Sequence, residues 1–202
     1  MSTSVRARLA EETAAAVERL RQITVQIGTH GAAIGAGILW NGGESDGTRL
    51  VITNAHVVRG DRAAVELHDG TVARGRVVAR DRKRDLAALQ IEIDSDPWPT
   101  MAPSVVRDSP LRVGELVIAL GHPGGLVGAA TLGIVHAAPG EGARARWVQA
   151  DLRLAPGFSG GPLADAAGRL VGVNTMIQGS LALAVPAAAV EAWLRRSHAL
   201  VA

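Results

Sequence analysis

Ser159 sits in the run Pro156-Gly157-Phe158-Ser159-Gly160-Gly161-Pro162, a serine flanked by glycines and closed by prolines. A hydroxyl is a weak nucleophile at neutral pH and needs an adjacent base. Attack on an acyl carbonyl also builds negative charge on oxygen, which backbone N–H groups stabilise when they are fixed in advance. Glycines let a turn direct successive amides at one point. Gly157 N–H and Ser159 N–H are the expected oxyanion donors. The candidate base is His56, in Thr53-Asn54-Ala55-His56-Val57-Val58, and the candidate orienting acid is Asp85, which opens the apolar stretch Asp85-Leu86-Ala87-Ala88-Leu89. A buried carboxylate is costly alone, and a histidine N–H relieves that cost while fixing the imidazole tautomer. Asp69 and Asp81 are the rival acids, both in polar, turn-like settings. The order His, Asp, Ser is one of several chain orders used for this geometry.

These three segments need a scaffold that brings distant strand ends together. The 202-residue chain is 48% apolar and rich in glycine, with 24. That is enough for one domain with a large core, or for two small barrels packed as a unit. Short apolar runs punctuated by turns favour β structure. The pattern predicts strands over Ile34–Trp40, Leu50–Thr53, Ala63–Leu67, Thr71–Ala79 and Leu86–Ile91, with turns at Asn41–Gly47 and Asp69–Gly70. A second series is predicted at Leu116–Gly121, Ala129–Ala138, Arg146–Gln149, Pro162–Ala164, Leu170–Thr175 and Leu181–Val185. Two such sets suggest two Greek-key barrels. The expected division is an N-terminal helix within 1–22, a first barrel over 23–95 carrying His56 and Asp85, a linker over 96–110, a second barrel over 111–186 carrying Ser159, and a C-terminal helix within 187–202. The proline-rich stretch Asp94–Pro110 marks the linker. The first helix carries a rough apolar stripe (Val5, Leu9, Ala16, Val17, Leu20) and either packs on the body or serves as a docking element.

Composition narrows the partners. The formal net charge is +2 and cysteine is absent, so no disulfide or thiolate chemistry is available. Lys83 is the single lysine, and the arginines are mostly offset by acids. One basic cluster stands out, Arg80 to Arg84. It is too short for a nucleic-acid stripe and lacks stacking aromatics. No metal pair, phosphate loop or dinucleotide fingerprint is expected; His30 reads as a surface-loop residue and His122 as structural. No apolar run is long enough to span a bilayer, and the N-terminus has no signal-peptide core. As written, the chain reads as cytoplasmic, or as periplasmic or extracellular if an export signal has been removed.

Taken together, the motifs resemble the protease domain of the HtrA (Deg) branch of trypsin-like serine proteases. T-N-A-H-V-V at 53–58 is similar to that branch's histidine motif, and R-D-L-A-A-L-Q-I at 84–91 to its aspartate motif. V-G-E-L-V-I-A-L-G-H-P-G-G at 113–125 is similar to the loop ahead of its long hairpin. V-Q-A-D-L-R-L-A-P-G-F-S-G-G-P-L at 148–163 resembles its serine motif, and G-R-L-V-G-V-N-T at 168–175 with A-V-P at 184–186 its closing strands. The resemblance implies an all-β fold of two six-stranded barrels with the site between them, and serine endopeptidase activity on unfolded or extended polypeptides without a cofactor. It implies that Thr175 supports Asp85, and that Met176, Ile177 and Gln178 pair with substrate backbone. The S1 pocket would be lined by Leu154, Met176, Ile177 and Leu183. Trimers formed through N-terminal segments follow by the same analogy.

Four departures from the family pattern carry expectations. No segment reads as a PDZ domain. Phe158 stands where relatives usually have asparagine or aspartate, so it can make no ion pair with a freed N-terminus and activation by N-terminal cleavage is not expected; its bulky ring is expected to favour a collapsed resting state with the peptide of the oxyanion turn flipped. Arg153, six positions before Ser159, is expected either in solvent or at the base of S1, where it would select acidic residues. His122 replaces the usual asparagine. The competing readings are a catalytically silent protease-fold binding protein, and an esterase or self-processing enzyme with the same triad.

Overall fold

The computed structural model describes residues 4–29, 32–41, 49–92, 110–140 and 146–197. The chain begins with helix α1, Val5–Ile23, capped by Ser4, whose Oγ accepts from Ala7 N–H at 3.3 Å. Its C-terminal half is the packed half. Ala16, Leu20 and Ile23 are buried, whereas Val5 and Leu9 are exposed. Arg19 and Arg21 donate to the carbonyls of Ala167 and Gly128, tying α1 to loops that flank later strands.

Twelve strands follow among the described residues. The first six are β1 (Thr24–Thr29), β2 (Ala32–Asn41), β3 (Arg49–Thr53), β4 (Arg62–Glu66), β5 (Val72–Asp81) and β6 (Leu86–Glu92). They close as a barrel in the order β1-β2-β3-β6-β5-β4. The next six are β7 (Leu116–Gly121), β8 (Ala129–Ala137), β9 (Val148–Asp151), β10 (Pro162–Asp165), β11 (Leu170–Gln178) and β12 (Leu181–Pro186). They close in the order β10-β11-β12-β9-β8-β7. Read from its first strand, the second barrel repeats the connectivity of the first, three neighbours and then a crossover. Helix α2, Ala187–Arg196, ends the described chain and buries Val190, Trp193 and Leu194.

All pairings are antiparallel, and alternation within strands sets which side chains enter each barrel. Val51 and Leu89 face each other across β3 and β6, and both are fully buried. One apolar cluster joins first-barrel residues with α1, α2 and residues of β7, β10, β11 and β12, including Leu120, Leu170 and Val173. A second, smaller cluster fills the other barrel around Val117, Val148, Leu163 and Phe158. The barrels thus share packed interior rather than meeting as separate bodies.

The all-β class and the two six-stranded barrels hold. The sequence reading missed β1 as a strand. Val25 and Ile27 point inward, but the segment follows α1 with no intervening turn, so its short alternation carries no boundary signal. β9 lies two residues later than the expected Arg146–Gln149, and a short 3₁₀ turn, Pro123–Gly125, was not foreseen. The Asn41–Gly47 turn, the linker and His30 lie outside the described residues, apart from the terminal positions Asn41 and Pro110.

Candidate active site

Asp85 is the centre of the site. It has φ +56°, the left-handed region, which aspartate tolerates better than most residues but which still costs energy. Three elements hold it there. Asn54 Nδ2 donates to the Asp85 carbonyl at 2.9 Å, and His56 N–H donates to Oδ1 at 3.0 Å. Thr175 Oγ1 donates to Oδ2 at 2.7 Å across the interface between the barrels. The same Oδ2 lies 2.6 Å from His56 Nδ1. Burial pushes the Asp85 carboxyl upward, but the donors His56 and Thr175 outweigh it and hold the pKa below its ordinary value. Asp85 is only 18% exposed at its side chain, whereas His56 is 52% exposed and presents its imidazole to the cleft.

Thr175 reaches this carboxylate because β11 carries a bulge. Asn174 pairs with Ala184 and Met176 with Leu183, leaving Thr175 as the extra residue. A bulge re-aims one side chain without breaking the strand. Asn174 is buried and donates to Pro162 C=O at 2.8 Å, which fixes the strand against the serine turn.

The serine segment is a turn inside a turn. Phe158 N–H donates to Ala155 C=O at 3.1 Å, with Pro156 and Gly157 between them. Gly157 has φ +108°, so the segment matches a type II turn with proline first and glycine second. A Cβ on Gly157 would lie 2.6 Å from the His122 carbonyl oxygen. Phe158 is 5% exposed and joins the second barrel's apolar cluster, so its ring anchors the turn by burial. Gly157 C=O accepts from His122 N–H at 2.9 Å, and Gly160 N–H donates to Asn174 C=O at 2.8 Å. Neither Gly157 N–H nor Ser159 N–H is spent on another group among the described residues. The Ser159 carbonyl accepts from Ala36 N–H of β2 at 2.8 Å, a second tie between barrels.

Ser159 Oγ lies 3.5 Å from the Thr175 carbonyl and makes no hydrogen bond with His56. Thr175 therefore links both ends of the group, its hydroxyl on Asp85 and its carbonyl near Ser159. Beyond it, Met176, Ile177 and Gln178 are exposed on β11. Leu154 is half-buried against the second cluster, Leu183 is buried, and Arg153 is exposed. Of the rival acids, Asp81 is engaged by the Lys83 and Arg84 amides and the Arg84 guanidinium, and Asp69 by Thr71 N–H. His122 is 4% exposed, as a structural residue would be.

Two supporting residues escaped the sequence reading. Asn54 was visible only as part of the histidine motif, yet its amide holds the Asp85 backbone. Arg80 was one charge in a basic cluster, yet it donates to the carbonyls of Val58 at 2.7 Å and Gly60 at 2.6 Å, bracing the loop that follows His56. Nothing in the local sequence separates a clamping arginine from a solvated one.

The chain and its fold are similar to those of known proteins. The family model for the trypsin-like peptidase domain matches residues 35–173. The "Putative serine protease HhoB" of Synechocystis sp. is 37% identical over 153 residues, covering 70% of this chain and 35% of that protein. The "Probable periplasmic serine endoprotease DegP-like" of Bartonella henselae is 38% identical over 154 residues, covering 71% of this chain and 30% of that protein. The chain thus spans about a third of the length of these relatives. Among solved structures, one titled "HtrA-type protease AlgW with decapeptide" superposes with a TM-score of 0.76 at 25% identity, covering 92% of this chain and 67% of that one. A serine endoprotease from Yersinia pestis gives a TM-score of 0.78 at 24% identity, covering 98% of this chain and 67% of that one, a likeness of fold. The chain belongs to the trypsin-like peptidase domain family, in its HtrA-type branch.

Proposed function

We propose that this chain is a serine endopeptidase acting through an acyl-enzyme. The observation that carries the reading is the His56–Asp85 pair at 2.6 Å, braced by Thr175 from the other barrel and set beside a serine whose turn leaves two amides unspent. Ser159 Oγ attacks the peptide carbonyl while His56 Nε2 takes its proton. Asp85 holds the tautomer and balances the imidazolium. The N–H groups of Gly157 and Ser159 receive the oxyanion. His56 then protonates the leaving amine, and water repeats the sequence to release the acid. Ser159 Oγ, turned toward the Thr175 carbonyl and not bonded to His56, fits a resting site in which the serine–histidine hydrogen bond forms when substrate arrives.

Extended, unfolded polypeptide is the proposed substrate. The exposed Met176–Gln178 edge can add a substrate strand through main-chain hydrogen bonds, a mode tolerant of sequence. Leu154, Met176, Ile177 and Leu183 would then line a small apolar S1 pocket, with exposed Arg153 outside it. A role in protein quality control, a compartment outside the cytoplasm like that named for the DegP-like relatives, and trimers using the exposed half of α1 extend the same reading. Among the described residues no helix is long and apolar enough to cross a membrane.

Ser159→Ala is expected to abolish both casein degradation and covalent labelling by a fluorophosphonate. Labelling of that variant at the wild-type rate would remove Ser159 from the role. Wild-type protein that neither labels nor degrades casein, yet binds it, would favour the silent binding protein.

A further inference from the structure

The basic run Arg80–Arg84 separates into groups with different fates. Arg84 is neutralised by Asp81 at 2.7 Å. Arg80 is spent on the loop carbonyls after His56. Arg82 remains exposed and has no acidic partner among the described residues, as does Arg59 on that same loop. Arg59, Arg80 and Arg82 line an open groove of about 380 Å³ whose wall is completed by Val58, His56 and Asp85.

We infer that this groove is a subsite for an acidic substrate side chain, glutamate or aspartate, held by Arg59 and Arg82 next to the bond being cut. The inference rests on the proposed peptidase reading and narrows its substrate class. His56 forms part of the wall, so a side chain seated in the groove belongs to a residue close to the reacting carbonyl. The lining holds three arginines and one acid, Asp85, whose carboxylate is already committed to His56 and Thr175. The groove has the size of a small ligand site. A glutamate seated there can present its carboxylate to the planar forks of the exposed Arg59 and Arg82. A lysine at the same substrate position meets like charge.

The test uses the full chain carrying Ser159→Ala, so that binding is read without turnover. Short fluorescent peptides carry a single Glu, Gln or Lys moved stepwise along an otherwise neutral sequence, and anisotropy gives each Kd. At one register Glu is expected to bind roughly fivefold tighter than Gln, with Lys weaker than both. The difference shrinks as salt is raised, because both arginines are exposed. Adding Arg59→Glu and Arg82→Glu together reverses the order in favour of Lys. Equal affinities for Glu, Gln and Lys at every register, no binding of any peptide, or an order unchanged by the double substitution would each overturn the subsite. Cleavage of the neutral peptide by the unsubstituted protein is scored separately. Its absence counts against the peptidase reading and leaves the binding comparison intact.

Discussion

Asp85 shows how much of the site rests on single hydrogen bonds. Its backbone is in an unfavourable region, and its carboxylate is mostly buried. Both conditions are tolerated because Asn54, His56 and Thr175 converge on it. A hydrogen bond to a charged group contributes about 1.5–3 kcal/mol. Thr175→Val keeps the shape and removes the donor, so peptide hydrolysis should fall about tenfold or more, and Thr175→Ser should restore much of it. Stability supplies a second readout. The folded pKa of Asp85 lies below its ordinary value of 3.8, so its contribution is fully present above that pH and is lost as pH falls through the folded value. The difference in Tm between wild type and Thr175→Val should therefore be widest near neutrality and close below pH 3.8. A gap that stays constant into acid would separate Thr175 from the ionised carboxylate.

At the scale of elements, a chain of contacts runs from α1 to the serine turn. Arg21 Nε donates to Gly128 C=O at 3.0 Å, and Gly128 N–H donates to His122 Nδ1 at 3.3 Å. His122 N–H in turn donates to Gly157 C=O at 2.9 Å. The helix thus bears on the turn through the loop between β7 and β8. The buried His122 Nε2 has no hydrogen-bond partner among the described residues. Burial lowers its pKa below 6.5, opposed only by the Val25 backbone. The charged or titratable side chains lining the adjacent cavity are Arg21, Glu66 and His68. Because the folded state resists protonating His122 while the unfolded state does not, stability is fully present above pH 6.5 and declines as pH falls toward the folded pKa. Thermal melts between pH 7 and pH 5 should show this decline, and His122→Gln should flatten it. An identical slope in the variant would show that other groups set the acid sensitivity.

At the scale of the molecule, the cleft exists because two barrels are locked in one register. Ala36 N–H to Ser159 C=O and Thr175 to Asp85 cross between them, and one apolar cluster spans both. Gly160 sits at the closest approach. It has φ +83°, and a Cβ there would collide with the Ala36 carbonyl and the Thr53 hydroxyl. Gly160→Ala combines left-handed strain with overpacking, a loss on the order of 2–5 kcal/mol. It should lower Tm by several degrees and remove hydrolysis, because the barrels must part to admit the methyl. Wild-type Tm in that variant would mean that the interface yields without cost. The shared core also predicts one cooperative thermal transition for the wild type rather than two.

What the residues alone determined was the class of scaffold and a set of candidate groups for the chemistry. A glycine-set serine, a histidine at a strand end and an aspartate opening an apolar strand were each legible, because turn residues and period-two alternation are local signals. The ordered motifs also carried the family. The matching connectivity of the two barrels was invisible, because topology depends on which edges pair and the halves share no repeated residues. Folding decided that the extra residue on β11 falls at Thr175, that Asn54 and Arg80 brace the site, and that Arg59 and Arg82 stay unpaired among the described residues, beside His56. Each of these depends on hydrogen bonds or charges between segments tens of residues apart, whose geometry exists only once the barrels have closed.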